Sequence, residues 1–349
     1  MEELMKIADL FVEKIKRDYP DDVACVVIMG SVVFNQTHKR SDLDLFYVPK
    51  TNRGYNLGTT FIINGIGFDF WPISWERLER IASYEERITS IILDGKIIYY
   101  NTEEDLNKYE SLKKKTLDTS NKGLFISKAE DLFKNIYKDY YKLSLSENLM
   151  EARKRSILLL NSLSNVIALL NSTVIRRGRG RLKDEISSMI LYPQNYEATF
   201  DLTFTTKDID VLKTSYLDLI SEVEKIFLTE KDKLKEGKKD LSNVEGFYEE
   251  LINLYNKIYY NCEEGNPYTP LFAAVEVYVE WEDAFADTGV KLDELPDIIS
   301  GYDFNDLNKL NKLAKEHQIL LEKLLDTNGI KIKRFNNFNE YEYWILNEL

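Results

Sequence analysis

At 349 residues, 44% hydrophobic and 30% charged, the chain can bury a large core and reads as a soluble globular protein of two domains. Two cysteines give no disulfide framework and point to a reducing cytoplasm; no apolar run nears a membrane span, and no secretory pattern opens the chain. A net charge of −13 repels nucleic-acid backbones, which weighs against a template-directed polymerase and is compatible with a cationic small-molecule partner.

The first helix is expected over residues 1–18, where Leu4, Ile7, Ala8, Phe11 and Ile15 recur near a 3.6-residue period and Pro20 ends the segment. Val23 to Met29 reads as a buried strand. A Gly30-Ser31 turn follows, then a strand carrying Asp42 and Asp44 and closing at Pro49. Thr59–Ile63 and Ile66–Ile73 flank Asn64-Gly65, the preferred two-residue hairpin turn. Ser74 reads as the N-cap of a helix to about Leu93, stopped by Gly95, and Lys96–Tyr100 as a short strand. Thr102 with Asp105 resembles a capping box, and Lys113–Lys122 reads as an interdomain linker. Beyond residue 124 the periodicity is helical: Ile126–Tyr140, Leu149–Leu170, Asp208–Lys235, Val244–Tyr260, Pro270–Ala286 and Phe304–Asp326. The expected fold class is α+β, with a small mixed-sheet domain over 1–120 and an all-helical bundle over 121–349.

The run VVIMGSVVFNQTHKRSDLDLFYV, Val26 to Val48, carries the chemistry. Residues two apart in a strand share a face, so Asp42 and Asp44 project together while Leu43 and Leu45 turn into a core. Carboxylates this close repel unless a cation sits between them, and hard oxygen ligands suit Mg²⁺ carrying phosphates. Asp69, between Phe68 and Phe70, is costly unless it is paired, metal-bound or facing water at a sheet edge. His38 and His317 are the only histidines, which leaves little material for nucleophilic catalysis or a zinc site. His38, in the loop between Ser31 and Asp42, reads as an ordinary loop residue in preference to a phosphate contact.

A Gly-Ser pair ending a strand, ten residues, then Asp-x-Asp in the next strand resembles the signature of the nucleotidyltransferase superfamily. That superfamily includes DNA polymerase β, the antibiotic nucleotidyltransferases and the minimal nucleotidyltransferases. The resemblance implies that Gly30 and Ser31 hold a nucleoside triphosphate and that Asp42 and Asp44 ligate Mg²⁺. Asp69 matches the third carboxylate, as a metal ligand or as base toward the attacking hydroxyl. Gly30 lets the backbone approach a phosphate, and N–H groups at the start of a short helix would face the anion. Phe34 and Asn35 stand where family members often carry Arg-Gly; Asn keeps the left-handed bend, and the Arg contact is missing.

A small catalytic domain followed by a helical bundle resembles the kanamycin- and lincosamide-type enzymes. Related proteins reach the triphosphate with a basic residue from the helical part. Within Arg176, Arg177, Arg179, Arg181 and Lys183 the closest matches are Lys183 and Arg181, against a solvated basic turn. Glu276, Glu280 and Glu282 offer a general base or an exposed acidic stripe. The Tyr137/Tyr140/Tyr141 and Tyr255/Tyr259/Tyr260 clusters read as packing material. The resemblance thus implies transfer of a nucleoside monophosphate, AMP from ATP in the favoured form, onto a hydroxyl of a small molecule such as an aminoglycoside-like antibiotic. The alternatives are a protein acceptor, as in antitoxin-like adenylylating enzymes, and a non-catalytic nucleotide-binding module.

Overall fold

The computed structural model describes residues 2–235, 241, 244–286, 288, 290 and 294–348. Its fold is α+β: a five-stranded mixed sheet comes first, and the described elements after it are helical. The chain divides into two compact units, Met1–Lys231 and Asp232–Leu349. The expected boundary at 120/121 lies inside the first unit, and Met1 and Leu349 of the expected spans lie outside the described residues.

In the first unit, helix α1 (Glu2–Asp18) buries Leu4, Ala8, Phe11, Val12 and Ile15, the stripe its periodicity predicts. The sheet comprises β1 (Val23–Ile28), β2 (Leu45–Pro49), β3 (Thr59–Ile63), β4 (Ile66–Pro72) and β5 (Lys96–Tyr100), in the order β3-β4-β2-β1-β5. A short helix, α2 (Asn52–Tyr55), lies between β2 and β3. β2 runs parallel to β4, and the remaining pairs are antiparallel. Asn64 and Gly65 both take positive φ, 52° and 77°, as the hairpin turn requires. β1 is buried throughout because both faces of the sheet are covered. On one face Val26, Leu43, Leu45, Phe68 and Phe70 join α1 in a core. On the other, Val27, Phe46, Val48 and Ile73 pack with Leu78, Ile92 and Tyr109 from the helices that follow.

The helix expected from Ser74 to Leu93 is two helices, α3 (Trp75–Ala82) and α4 (Ser90–Leu93). Ser74 caps α3 as read, its Oγ accepting from Arg77 N–H at 3.2 Å. Between the two, Tyr84 takes φ 60°, donates its hydroxyl to the Thr116 carbonyl at 2.8 Å and packs on Phe125. Tertiary contact overrides helix periodicity there. Thr102 caps α5 (Glu103–Leu117), accepting from Asp105 N–H at 3.1 Å. The Lys-rich stretch read as a linker is mostly helical: it ends α5 and opens α6 (Lys122–Phe133), leaving 118–121 between them. The expected helix 126–140 is likewise divided, into α6 and α7 (Ile136–Ser144). Helix α8 (Leu149–Leu170) matches its expected span, followed by α9 (Leu182–Ser187), α10 (Tyr196–Thr205) and α11 (Ile209–Lys235). Among the described residues no helix is long and apolar enough to cross a membrane.

The second unit contains α12 (Phe247–Glu263), α13 (Tyr268–Phe285), α14 (Asn308–Thr327) and α15 (Phe338–Asn347). Tyr255, Ala274, Val277, Leu310 and Leu321 form part of its core. His317 of α14 is buried, its Nδ1 sharing a 2.7 Å hydrogen bond with the Tyr255 hydroxyl beside Tyr278 and Trp281. Burial pushes its pKa down to about 4 from the ordinary 6.5. Below pH 6.5 the unfolded chain takes up a proton that the folded unit refuses, so stability falls as the pH drops towards 4. The expected loss from this residue is about 3 kcal/mol. Melting at pH 7 and pH 4.5 checks it: the wild-type shift should shrink in His317→Gln, and equal shifts would show that another group governs the acid limb.

Candidate active site

The structure brings Gly30, Ser31, Asp42, Asp44 and Asp69 to one end of the sheet. Asp42 and Asp44 stand on the extended lead-in to β2 rather than inside it, although Met29 N–H still donates to the Asp44 carbonyl at 3.0 Å. Leu43 and Leu45 are buried on the α1 side, which turns both carboxylates to the opposite face. Asp42 is exposed and Asp44 half-buried. Burial first, and the Asp42 charge second, raise the Asp44 carboxyl above its ordinary value, while nearby Arg179 opposes them.

Gly30 explains why the Gly-Ser pair sits where it does. Its φ is +68°, and a Cβ built there would land on Asp44 Oδ2. Only glycine lets the turn and the carboxylate come this close. The expected helix start is a single 3-10 turn, Gly30–Val32, too short to sum a helix dipole. Any anion held there meets local N–H groups with no helix dipole behind them. Asn35 takes φ 55°, the left-handed bend its sequence position implies. His38 closes the loop to Asp42: its Nδ1 accepts Arg40 N–H at 3.1 Å, and its own N–H donates to Ser41 Oγ at 2.9 Å.

Asp69 is exposed on β4, opposite Thr60 of β3. β2 and β4 pair with Leu45 beside Phe70, so continuing the parallel register one residue back sets Asp44 beside Asp69. Phe70 and Leu45 enter the same core, which puts both acids on the other face, on strands about 4.8 Å apart. Among the described residues, no group of three or more His, Cys, Asp or Glu side chains is gathered to hold a metal ion.

The arginines of the basic run lie between α8 and α9, and Lys183 lies in α9. Arg177 rests over the Phe34 ring, 4.7 Å from its centre, so an arginine from elsewhere in the chain reaches the segment just after the Gly-Ser turn. Arg179 lies close enough to Asp44 to affect its ionisation. Lys183, the residue matched from sequence, is held instead by both oxygens of Asp201 at 2.8 Å, and Arg181 lies 3.8 Å from Asp184. What selects Arg177 and Arg179 within the run is Gly178, whose φ of +48° turns the backbone between them. Beside Asp42 a polar groove of about 760 Å³ is lined by Lys39, Arg40 and the Asn64–Gly67 turn. Glu276, Glu280 and Glu282 are all exposed on α13 in the second unit, Glu276 and Glu280 on one face. Of the tyrosine clusters, Tyr255 is core, whereas Tyr137, Tyr141 and Tyr260 are exposed.

No family model matches the chain, and no curated protein matches it. Among solved structures it is similar to a nucleotidyltransferase-like protein from Exiguobacterium sibiricum 255-15, at 10% identity and a TM-score of 0.36. The similarity covers 64% of this chain and 75% of that chain.

Proposed function

We propose that the protein is a nucleotidyltransferase of the DNA polymerase β-like superfamily, moving a nucleoside monophosphate from ATP or another nucleoside triphosphate onto a hydroxyl of a small molecule. The supporting observation is Gly30 at positive φ with the Asp44 carboxylate against it, beside Asp42 and within reach of Arg179. A turn that must lack a side chain, a pair of repelling acids and an arginine loop together suit a phosphate chain and its cation.

The donor set suits Mg²⁺. Asp42 and Asp44 offer hard oxygens from one side, and this ion typically takes one or two carboxylates with phosphate oxygens completing its shell. No cage of three protein ligands is needed. When bound, the ion neutralises the phosphates and steadies the leaving pyrophosphate. Gly30 and Ser31 cradle the triphosphate, and Arg177 and Arg179 offset its charge. Asp69 accepts the proton of the acceptor hydroxyl. In the sheet order, Gly30 at the end of β1 and the β3–β4 hairpin lie on opposite sides of the Asp42/Asp44 lead-in. Donor phosphates on one flank and an acceptor in the hairpin groove on the other suit in-line transfer. The groove is polar, as an acceptor rich in hydroxyl groups requires; an aminoglycoside-like antibiotic is one such acceptor, with Lys39 and Arg40 opposing its amino cations.

Calorimetric titration with ATP tests this reading. Binding should require Mg²⁺ and disappear with EDTA, and Arg179→Ala should weaken it by about tenfold, the loss of one charge-assisted contact. Equal affinity with and without Mg²⁺ would favour a non-catalytic nucleotide-binding module.

A further inference from the structure

Glu185, on the six-residue helix α9, turns its carboxylate back onto the loop before it. Oε1 accepts the Arg176 N–H at 2.6 Å, and Oε2 accepts the N–H groups of Arg177 at 3.0 Å and Gly178 at 3.3 Å. Three successive peptide donors converging on one anion form a nest, here filled by the protein's own carboxylate. A second anchor lies on the other side of the loop. The Arg176 guanidinium is paired with Asp94, whose side chain is 7% exposed, just before β5.

The anchored segment is strained. Arg179 holds φ 24° directly after Gly178, a conformation that costs a non-glycine residue about 1–3 kcal/mol and persists only when its surroundings enforce it. On either side of Gly178, Arg177 lies over the Phe34 ring and Arg179 comes near Asp44. Glu185 touches neither arginine side chain through these bonds. It grips the backbone that aims them.

We infer that Glu185 is a positioning residue for the nucleotide, fixing the 176–178 backbone so that Arg177 and Arg179 face phosphates seated at Gly30 and Ser31. This rests on the nucleotidyltransferase reading. Without the carboxylate, the Arg179 backbone relaxes and both guanidinium groups leave the phosphate path. Glu185 then contributes to nucleotide affinity only through the arginines, so its loss and theirs are not additive.

Two measurements on the full chain test it. In titrations with Mg²⁺ and ATP, Glu185→Ala should raise Kd about tenfold at an unchanged melting temperature, with Glu185→Gln between it and wild type. Glu185→Ala added to the Arg177→Ala/Arg179→Ala pair should bind no more weakly than that pair alone. In limited trypsin digestion without nucleotide, the bonds after Arg177 and Arg179 should be cut at least about tenfold faster in Glu185→Ala. Wild-type cutting rates in that variant would overturn the inference, whatever the nucleotide result. So would faster cutting with wild-type affinity, since the loop would then not serve the nucleotide. A wild-type protein that binds no nucleoside triphosphate defeats the functional reading itself and the inference with it.

Discussion

Asp44→Asn should abolish nucleotidyl transfer and, in metal-free protein, raise the melting temperature. The two effects share one cause. Burial and the Asp42 charge hold the Asp44 carboxyl above its ordinary value, so at neutral pH its ionised form costs the folded state stability. The amide keeps the size and removes the charge, and the fold gains. The same charge is what a cation with phosphates requires, so turnover should fall by at least about 10²–10³-fold, the scale of losing one essential electrostatic group. A residue kept for structure would show the reverse pattern, with a lower melting temperature and retained turnover. Paired thermal melts and rate assays on this variant separate the two.

Gly30→Ala should be among the most damaging single-methyl changes in the first unit. It imposes a side chain on a backbone at φ +68° and drives that side chain into Asp44 Oδ2. The left-handed conformation costs about 1–2 kcal/mol and the overlap about 1–3 kcal/mol more. A combined loss of roughly 2–5 kcal/mol corresponds to a melting temperature lower by roughly 4–20 °C for a unit of this size. Gly65→Ala is the control. Its φ is +77° with nothing within 4 Å, so it bears the backbone cost alone. Equal destabilisation of the two variants would show that the approach of Asp44 to Gly30 is not what fixes that glycine.

Much of the sheet domain was legible because its signals are local. Asn64-Gly65 specifies a hairpin by backbone preference, and β3, β5 and α8 occupy their expected spans. Ser74 and Thr102 cap the helices they precede. What escaped was set by distant contacts. Tyr84 breaks the Ser74–Leu93 helix by reaching Thr116 and Phe125, partners that local periodicity cannot reveal. The Lys113–Lys122 run resembles a linker by charge, yet its lysines lie in two helices. The candidate site divides the same way. Gly30, Ser31, Asp42 and Asp44 share one short segment and so could be read together from it, and Asp69 joins them through strand register. The arginine loop could be seen as basic, but not aimed. Which of its residues turn toward the Gly-Ser pair depends on the Gly178 backbone and the Glu185 anchor, both of which appear only once α8 and α9 are folded.

The most direct test of the account is pyrophosphate release from each of the four nucleoside triphosphates with Mg²⁺, against a panel of aminoglycosides and lincosamides, in wild type and Asp44→Asn. The account predicts release that requires Mg²⁺, depends on an acceptor from the panel and vanishes in Asp44→Asn. Release that persists undiminished in Asp44→Asn would contradict the assignment of the carboxylate pair. Absence of release with every triphosphate and acceptor would contradict transfer to this class of small molecule.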